Sequence, residues 1–244
     1  MTLPAIGDLD ALLLDLDDTI LDDRSSIDHW WSAVHDLILA EDPGLVGVPL
    51  TATIAEVTEW FWSDPDRERE GRLDLPRARR GILNRVLDQL GRPNPELADQ
   101  ASNHYAELRE KTYRLADGAL DALIRLRAAL PRLALVTNGA AEPQRGKIER
   151  FALAGYFDHI QVEGEFGLGK PESVVYLHVA TSLGAAPERC LMVGDNFRSD
   201  VLGALEAGMH AAWIDVDGRR EPPLPATRPY TTVATLVELA ERLL

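Results

Sequence analysis

Beyond Asp117-Gly118 the sequence alternates between helical spacing and short apolar runs, and this alternation limits the fold more than any other feature. Ala119 to Leu130 reads as a helix, Leu133-Ala134-Leu135-Val136 as a strand, Pro143 to Ala154 as a helix and His159-Ile160-Gln161-Val162 as a strand. Glu172 to Leu183 is again helical, Cys190 to Val193 a strand, Ser199 to Ala207 a helix and Ala211-Ala212-Trp213-Ile214 a strand. Strands joined through helices need right-handed crossovers, which predicts an α/β fold with a doubly wound parallel sheet covered on both faces. The proline-rich stretch Glu221-Pro222-Pro223-Leu224-Pro225 reads as a surface loop, and Val233 to Leu243 as a last helical segment.

A further apolar run, Ala11-Leu12-Leu13-Leu14, has the look of a buried strand of the same sheet, but a long helical block separates it from its partners. In that block Ser25-Ser26 offers a cap before Ile27, Trp30, Trp31, Val34, Leu37 and Ile38 at helical spacing. Asp64-Pro65 and Asn94-Pro95-Glu96 each place a capping residue before a proline at the first helical position, and Ile82, Leu83, Val86, Leu87 and Leu90 form another stripe. The expected organisation is a core of residues 1–20 and 114–244, interrupted at 21–113 by an inserted bundle of four or five helices. Because loops at the carboxyl ends of parallel strands line the ligand crevice, an insertion there is expected to act as a lid.

The formal charge of −15 over 244 residues argues against a nucleic acid polymer as partner, since wrapping a phosphate backbone needs clustered cations. No apolar stretch approaches the roughly 20 residues of a membrane span. No basic-then-apolar leader is visible at the N-terminus, and Cys190 is the sole cysteine, so a cytoplasmic setting is expected. Within an apolar run, that thiol reads as core filler rather than nucleophile. Lysine occurs only at 111, 147 and 170.

Chemistry-bearing residues gather at the ends of the strands. Asp15-Leu16-Asp17-Asp18-Thr19 follows the first run directly, and acids at period two share one side of a strand. Two such carboxylates repel unless a divalent cation neutralises them, and hard oxygen ligands suit magnesium; an isolated Asp-x-Asp reads by default as a solvated strand end. The second strand ends in Thr137-Asn138-Gly139, where a hydroxyl, an amide and a backbone N–H can donate to an anion, or simply make a turn. In Gly169-Lys170-Pro171-Glu172, proline at a first helical position would set Lys170 at a helix N-terminus, where a cation is unfavourable without an anion opposite. Asp195 ends the run Leu191-Met192-Val193-Gly194, and Asp200 is expected to begin the next helix.

Taken in order, Asp15-x-Asp17-x-Thr19, Thr137, Lys170 and Gly194-Asp195 with Asp200 resemble the four sequence motifs of the haloacid dehalogenase superfamily, with residues 21–113 similar to its type 1 helical cap and the rest to its Rossmann-like core. The resemblance implies that Asp15 is the nucleophile and Asp17 the general acid and base. It implies that Thr137 and Lys170, with Asn138 and Gly139, hold the transferring phosphoryl group. Magnesium would be bound by the Asp15 carboxylate, the Asp17 backbone carbonyl and Asp195, with Asp200 placing Lys170 or a metal-bound water. Leu21-Asp22-Asp23 would be the family's flap. Val136-Thr137-Asn138-Gly139, then Gln144, Lys147 and Ile148, then Gly155-Tyr156-Phe157-Asp158, look most like the branch of nucleotide 5′-monophosphatases and acylneuraminate 9-phosphatases.

The implied activity is magnesium-dependent hydrolysis of a small phosphorylated metabolite, by a monomer or homodimer, through an aspartyl-phosphate. Asp17 argues against a haloacid dehalogenase, which lacks an acid two residues after the nucleophile, whereas a phosphomutase uses the same residues. A Schiff-base phosphonate hydrolase would need a lysine in the helical block, where only Lys111 occurs, near its expected hinge. A receiver domain has its Lys last, while here Lys170 precedes Asp195, and a catalytically silent sensor of phosphorylated metabolites would not need the full set. For substrate selection, Trp30, Trp31, Arg79 and Arg80 are the candidates, set against burial between helices for the tryptophans and a solvated basic face for the arginines.

Overall fold

The apolar run Ala11–Leu14 forms strand β1 and is wholly buried, with its side chains divided between the two faces of the sheet. Leu12 and Leu14 enter one core with Leu133, Leu135, Leu191 and Val193, while Ala11 and Leu13 enter another with Ala134, Val136 and Met192. A strand covered on both faces has to be a continuous apolar run, because either parity would otherwise bury a polar group. This computed structural model describes residues 3–218, 222–226 and 228–244; Glu221, at the head of the proline-rich stretch, lies outside the described residues.

The chain divides into two compact units, Met1–Asp22 with Arg114–Leu244, and Asp23–Tyr113. In the first, β1 is followed by the short β2 (Leu21–Asp22). The second contains α1 (Ile27–Glu41), α2 (Leu50–Trp62), α3 (Pro65–Leu73), α4 (Leu75–Gln89) and α5 (Pro95–Thr112). Asp64 and Asn94 cap α3 and α5 through their side chains, accepting from the N–H groups of Arg67 at 2.9 Å and Leu97 at 3.1 Å. Ser26 stands at the cap position of α1 without a side-chain bond to it. Trp30, Val34, Ile38, Ile82, Leu83, Val86 and Leu87 all enter this unit's core, so the helical stripes read from the sequence are its packing faces.

The chain returns through β3 (Arg114–Leu115), which pairs antiparallel with β2, and then α6 (Ala119–Ala129), β4 (Leu133–Thr137), α7 (Ala141–Arg150), β5 (His159–Val162), α8 (Glu163–Phe166) and α9 (Ser173–Leu183). After β6 (Cys190–Gly194), a π-helical segment Phe197–Leu202 runs into α10 (Gly203–Glu206); β7 (His210–Ile214), β8 (Thr231–Val233) and α11 (Leu236–Leu243) complete the unit. The six-stranded sheet has the order β5-β4-β1-β6-β7-β8 and every pairing in it is parallel. From β1 the sheet grows one way through β4 and β5 and then the other way through β6, β7 and β8. Such a reversal opens a crevice at the carboxyl end of β1.

Three details depart from the sequence reading. Thr231–Val233 is an edge strand rather than the head of the last helix; three residues are too few for periodicity to register, and pairing with β7 makes the strand. Asp200 lies inside the π-helical segment, whose cap is Asn196, accepting from the Ser199 N–H at 2.9 Å. Pro171 precedes α9 instead of opening it, with Glu172 at the cap position, because the Lys170 backbone is tied back to the end of β4, as described below. Cys190 is buried in β6, and burial pushes its thiol up to about 11, as suits core filler. No helix among the described residues is long and apolar enough to cross a membrane.

Candidate active site

At the carboxyl end of the sheet, Lys170 is 2% exposed and its ammonium lies between two acids. Its Nζ donates to Asp15 Oδ1 at 2.7 Å and to Asp200 Oδ1 at 2.5 Å. Asp15 arrives one residue past β1, still in register, its N–H donating to the Val193 carbonyl at 2.9 Å. Burial pushes the Asp15 carboxyl up to about 7 against the pull of Lys170, and the Asp200 charge adds to the rise. Burial also works against the Lys170 charge, but the two carboxylates outweigh it and hold the ammonium above the ordinary lysine value.

The loop carrying Lys170 is held by Asn138. Its amide accepts from the Lys170 N–H at 2.8 Å and donates to the Lys170 carbonyl at 2.7 Å, a reciprocal pair that fixes the amide's orientation. Gly169 permits this approach. A Cβ there would come within 2.6 Å of Glu163 Oε1 and 2.8 Å of Asn138 Oδ1. Glu163, 2% exposed, accepts from the Gly139 N–H at 2.9 Å, so the N–H expected to face an anion is already engaged. The Asn138 amide and Gly139 therefore act here as the frame of the Lys170 loop.

Asp17, on the same stretch as Asp15, faces a different pair of groups. Lys147 Nζ lies 2.8 Å from each of its carboxylate oxygens, and Gln144 Nε2 donates to Oδ2 at 3.0 Å. Gln144 also donates to Thr137 Oγ1 at 2.5 Å and to the Asn138 carbonyl at 2.8 Å. Both are buried and stand three apart on α7, so one helix face supplies both donors. In the sequence they stand out only within the stretch that resembles the phosphatase branch, as a glutamine and one of three lysines at i, i+3 just past the Thr-Asn-Gly turn. Glu163 had no such signal, since only the fold brings β5 and its short helix beneath that turn.

Asp195, Asp15 and Asp200 each offer an oxygen within 4.8 Å of the others. Trp213 Nε1–H fixes the Asp195 turn by donating to its carbonyl at 2.9 Å. Asp200 is fully buried, its second oxygen accepting from the Asn196 N–H at 2.9 Å. Gly194 leaves room for it, because a Cβ there would fall 2.2 Å from Asp200 Oδ2. This all-oxygen donor set of three carboxyl groups fits a hard divalent cation.

A model of the haloacid dehalogenase-like hydrolases matches residues 9–208, a span that takes in the acid pair after β1, the Thr-Asn-Gly turn, Lys170 and the Asp195–Asp200 segment. The chain belongs to the haloacid dehalogenase-like hydrolase family. It is thus an enzyme, a hydrolase of that family. Among its relatives, N-acylneuraminate-9-phosphatase of Mus musculus is 32% identical over 192 residues, 78% of this chain and 69% of that protein. Phosphoserine phosphatase of Thermus thermophilus is 34% identical over 162 residues, 66% of this chain and 59% of that protein. The fold is that of the HAD-hydrolase YfnB of Bacillus subtilis, whose structure was determined bound to magnesium: TM-score 0.72, 23% identity, covering 96% of this chain and 98% of that one.

The remaining candidates fall in the helical unit. Trp30 is buried in its core, edge-on to Tyr105 at 5.5 Å, and its indole N–H donates to Thr112 Oγ1 at 2.9 Å. Trp31 packs beside that core, 4.9 Å from the Tyr105 ring. Arg80 forms an ion pair with Asp99 at 3.5 Å. Arg79 lies over the Tyr105 ring, 4.7 Å from its centroid.

Proposed function

We propose that this hydrolase cleaves a small phosphate monoester with magnesium, through an aspartyl-phosphate on Asp15. The observation that carries this reading is the buried Lys170 ammonium set between Asp15 and Asp200, with Asp195 completing a cluster of oxygens. The relatives named for phosphatase activity support it. In this reading residues 1–22 with 114–244 are the catalytic core, and the helical unit is the cap that selects the leaving alcohol.

An Asp15 oxygen attacks phosphorus while the P–O bond to the alcohol breaks, and protonated Asp17 gives its proton to the departing oxygen. In the second step Asp17 takes a proton from water, whose oxygen attacks the phosphorus of the aspartyl-phosphate; inorganic phosphate leaves and the Asp15 carboxylate is restored. Thr137 and Lys170 hold the phosphoryl oxygens, Asn138 fixes the Lys170 loop, and Lys147 with Gln144 orients Asp17. Asp15, Asp195 and the Asp17 backbone carbonyl would hold magnesium, which would supply positive charge against the transferring group. Asp200 would position Lys170 or a metal-bound water.

A panel of nucleotides, sugar phosphates, phosphorylated hydroxy acids and p-nitrophenyl phosphate, with Asp15→Asn as control, tests the reading. Metal-dependent phosphate release that Asp15→Asn abolishes is expected. Full turnover in that variant would remove Asp15 as nucleophile, and halide release without phosphate release would replace the phosphatase reading.

A further inference from the structure

Within the helical unit the partly buried guanidinium of Arg79 has no ion pair among the described residues. Arg79, in the first turns of α4, is half-buried; it makes no hydrogen bond or ion pair among the described residues and lies over the face of Tyr105, 4.7 Å from the ring centroid. Its neighbour Arg109 is satisfied, because Nε donates to Asp23 Oδ1 at 2.9 Å, Nη2 pairs with Asp23 Oδ2, and the guanidinium lies over Tyr113. The carboxylate that favours the Arg79 charge is Asp23, and Arg109 holds both its oxygens. Burial first, and then the Arg109 charge, hold the Arg79 guanidinium below the ordinary arginine value. The Tyr105 hydroxyl likewise has no hydrogen-bond partner among the described residues, although its ring is buried between Trp30, Trp31 and Arg79.

A half-buried cation with its N–H fork unused is costly unless something arrives to use it. Arg80, next in the chain, has an acid, Asp99, and leaves no such vacancy. We propose that Arg79, with the Tyr105 hydroxyl beside it, is a binding site in the helical unit for the carboxylate of a small metabolite. A planar guanidinium fork matches a planar carboxylate oxygen for oxygen, and the single charge of Arg79 matches a monoanion better than a phosphate dianion. Contact with the Tyr105 ring restricts the guanidinium, so less side-chain freedom remains to be lost on binding.

The carboxylate belongs either to the phosphorylated substrate or to a separate ligand. Binding of D-glycerate to the full chain, measured calorimetrically at constant ionic strength with glycerol as the uncharged control, tests the site without reference to turnover. Saturable binding of glycerate and not glycerol is expected, weakened about tenfold or more in Arg79→Met, as loss of one charge-assisted contact implies. Arg79→Lys, which keeps the charge without the fork, and Tyr105→Phe, which keeps the ring without the hydroxyl, should each bind more weakly than wild type, and both read the site should Arg79→Met not fold. Wild type that does not bind, or folded variants that bind equally, would overturn the proposal.

A second arm rests on the phosphatase reading and compares 3-phosphoglycerate with glycerol 3-phosphate. A preference for the acid that Arg79→Met erases assigns the carboxylate to the substrate. Equal turnover with glycerate binding intact assigns it to a separate ligand. Glycerate binding with no hydrolysis of either ester would count against the phosphatase reading and leave this site standing.

Discussion

Replacing Lys147 with methionine keeps the length of the side chain on α7 and removes the ammonium that faces both oxygens of Asp17 at 2.8 Å. The Lys147 side chain is 9% exposed and that of Asp17 28%, so water replaces the lost partner only in part. Breaking a fully buried pair costs about 3–5 kcal/mol. The remaining exposure of Asp17 and its bond from Gln144 bring the expectation down to about 2 kcal/mol, near a single charge-assisted hydrogen bond. At roughly 2–4 °C per kcal/mol for a chain of this size, the melting transition of the α/β unit falls by about 4–8 °C. Differential scanning calorimetry of Lys147→Met, Asp17→Asn and the double variant measures this, and the cycle should show coupling of at least about 1 kcal/mol. In turnover, kcat should drop about tenfold or more with KM little changed, because Asp17 is misplaced and the phosphate grip is untouched, and Lys147→Arg should recover part of it. A melting temperature within about 1 °C of wild type, or a cycle with no coupling, would refute the claim that Lys147 holds Asp17.

Two further tests bear on the buried acids. Gly194→Ala places a methyl 2.2 Å from Asp200 Oδ2, so the carboxylate must swing off Lys170; phosphatase activity should fall at least about tenfold, and an unchanged kcat would show that Asp200 does not position Lys170. The Asp15 carboxyl is held near 7 in the fold against 3.8 for its ordinary value, so the native state retains a proton that the unfolded chain gives up. Its contribution to stability is therefore complete below about 3.8 and lost as pH rises to about 7. Magnesium competes with that proton, so the rise in melting temperature on adding magnesium should grow between about pH 5 and pH 8. A pH-independent magnesium shift would remove Asp15 from the metal site.

Sequence by itself determined the parallel α/β architecture, because strands buried on both faces must be apolar throughout and helical stripes must repeat near 3.6, and Ala11–Leu14, Cys190–Val193 and Ile82–Leu90 obey those rules. It also marked the acids, since an ionisable group at the end of an apolar run has no packing reason to be there, and Lys170, since a cation expected at a helix N-terminus calls for an anion opposite. Partnership was left to the tertiary structure. That Lys170 lies between Asp15 and Asp200, that Lys147 and Gln144 face Asp17, and that Glu163 takes the Gly139 N–H all depend on contacts between residues 24 to 155 positions apart, which carry no local periodicity. The same holds for Arg79 and Arg80: adjacent arginines are alike in sequence, and only the packing of α4 against α5 gave one of them an acid and the other the face of a tyrosine.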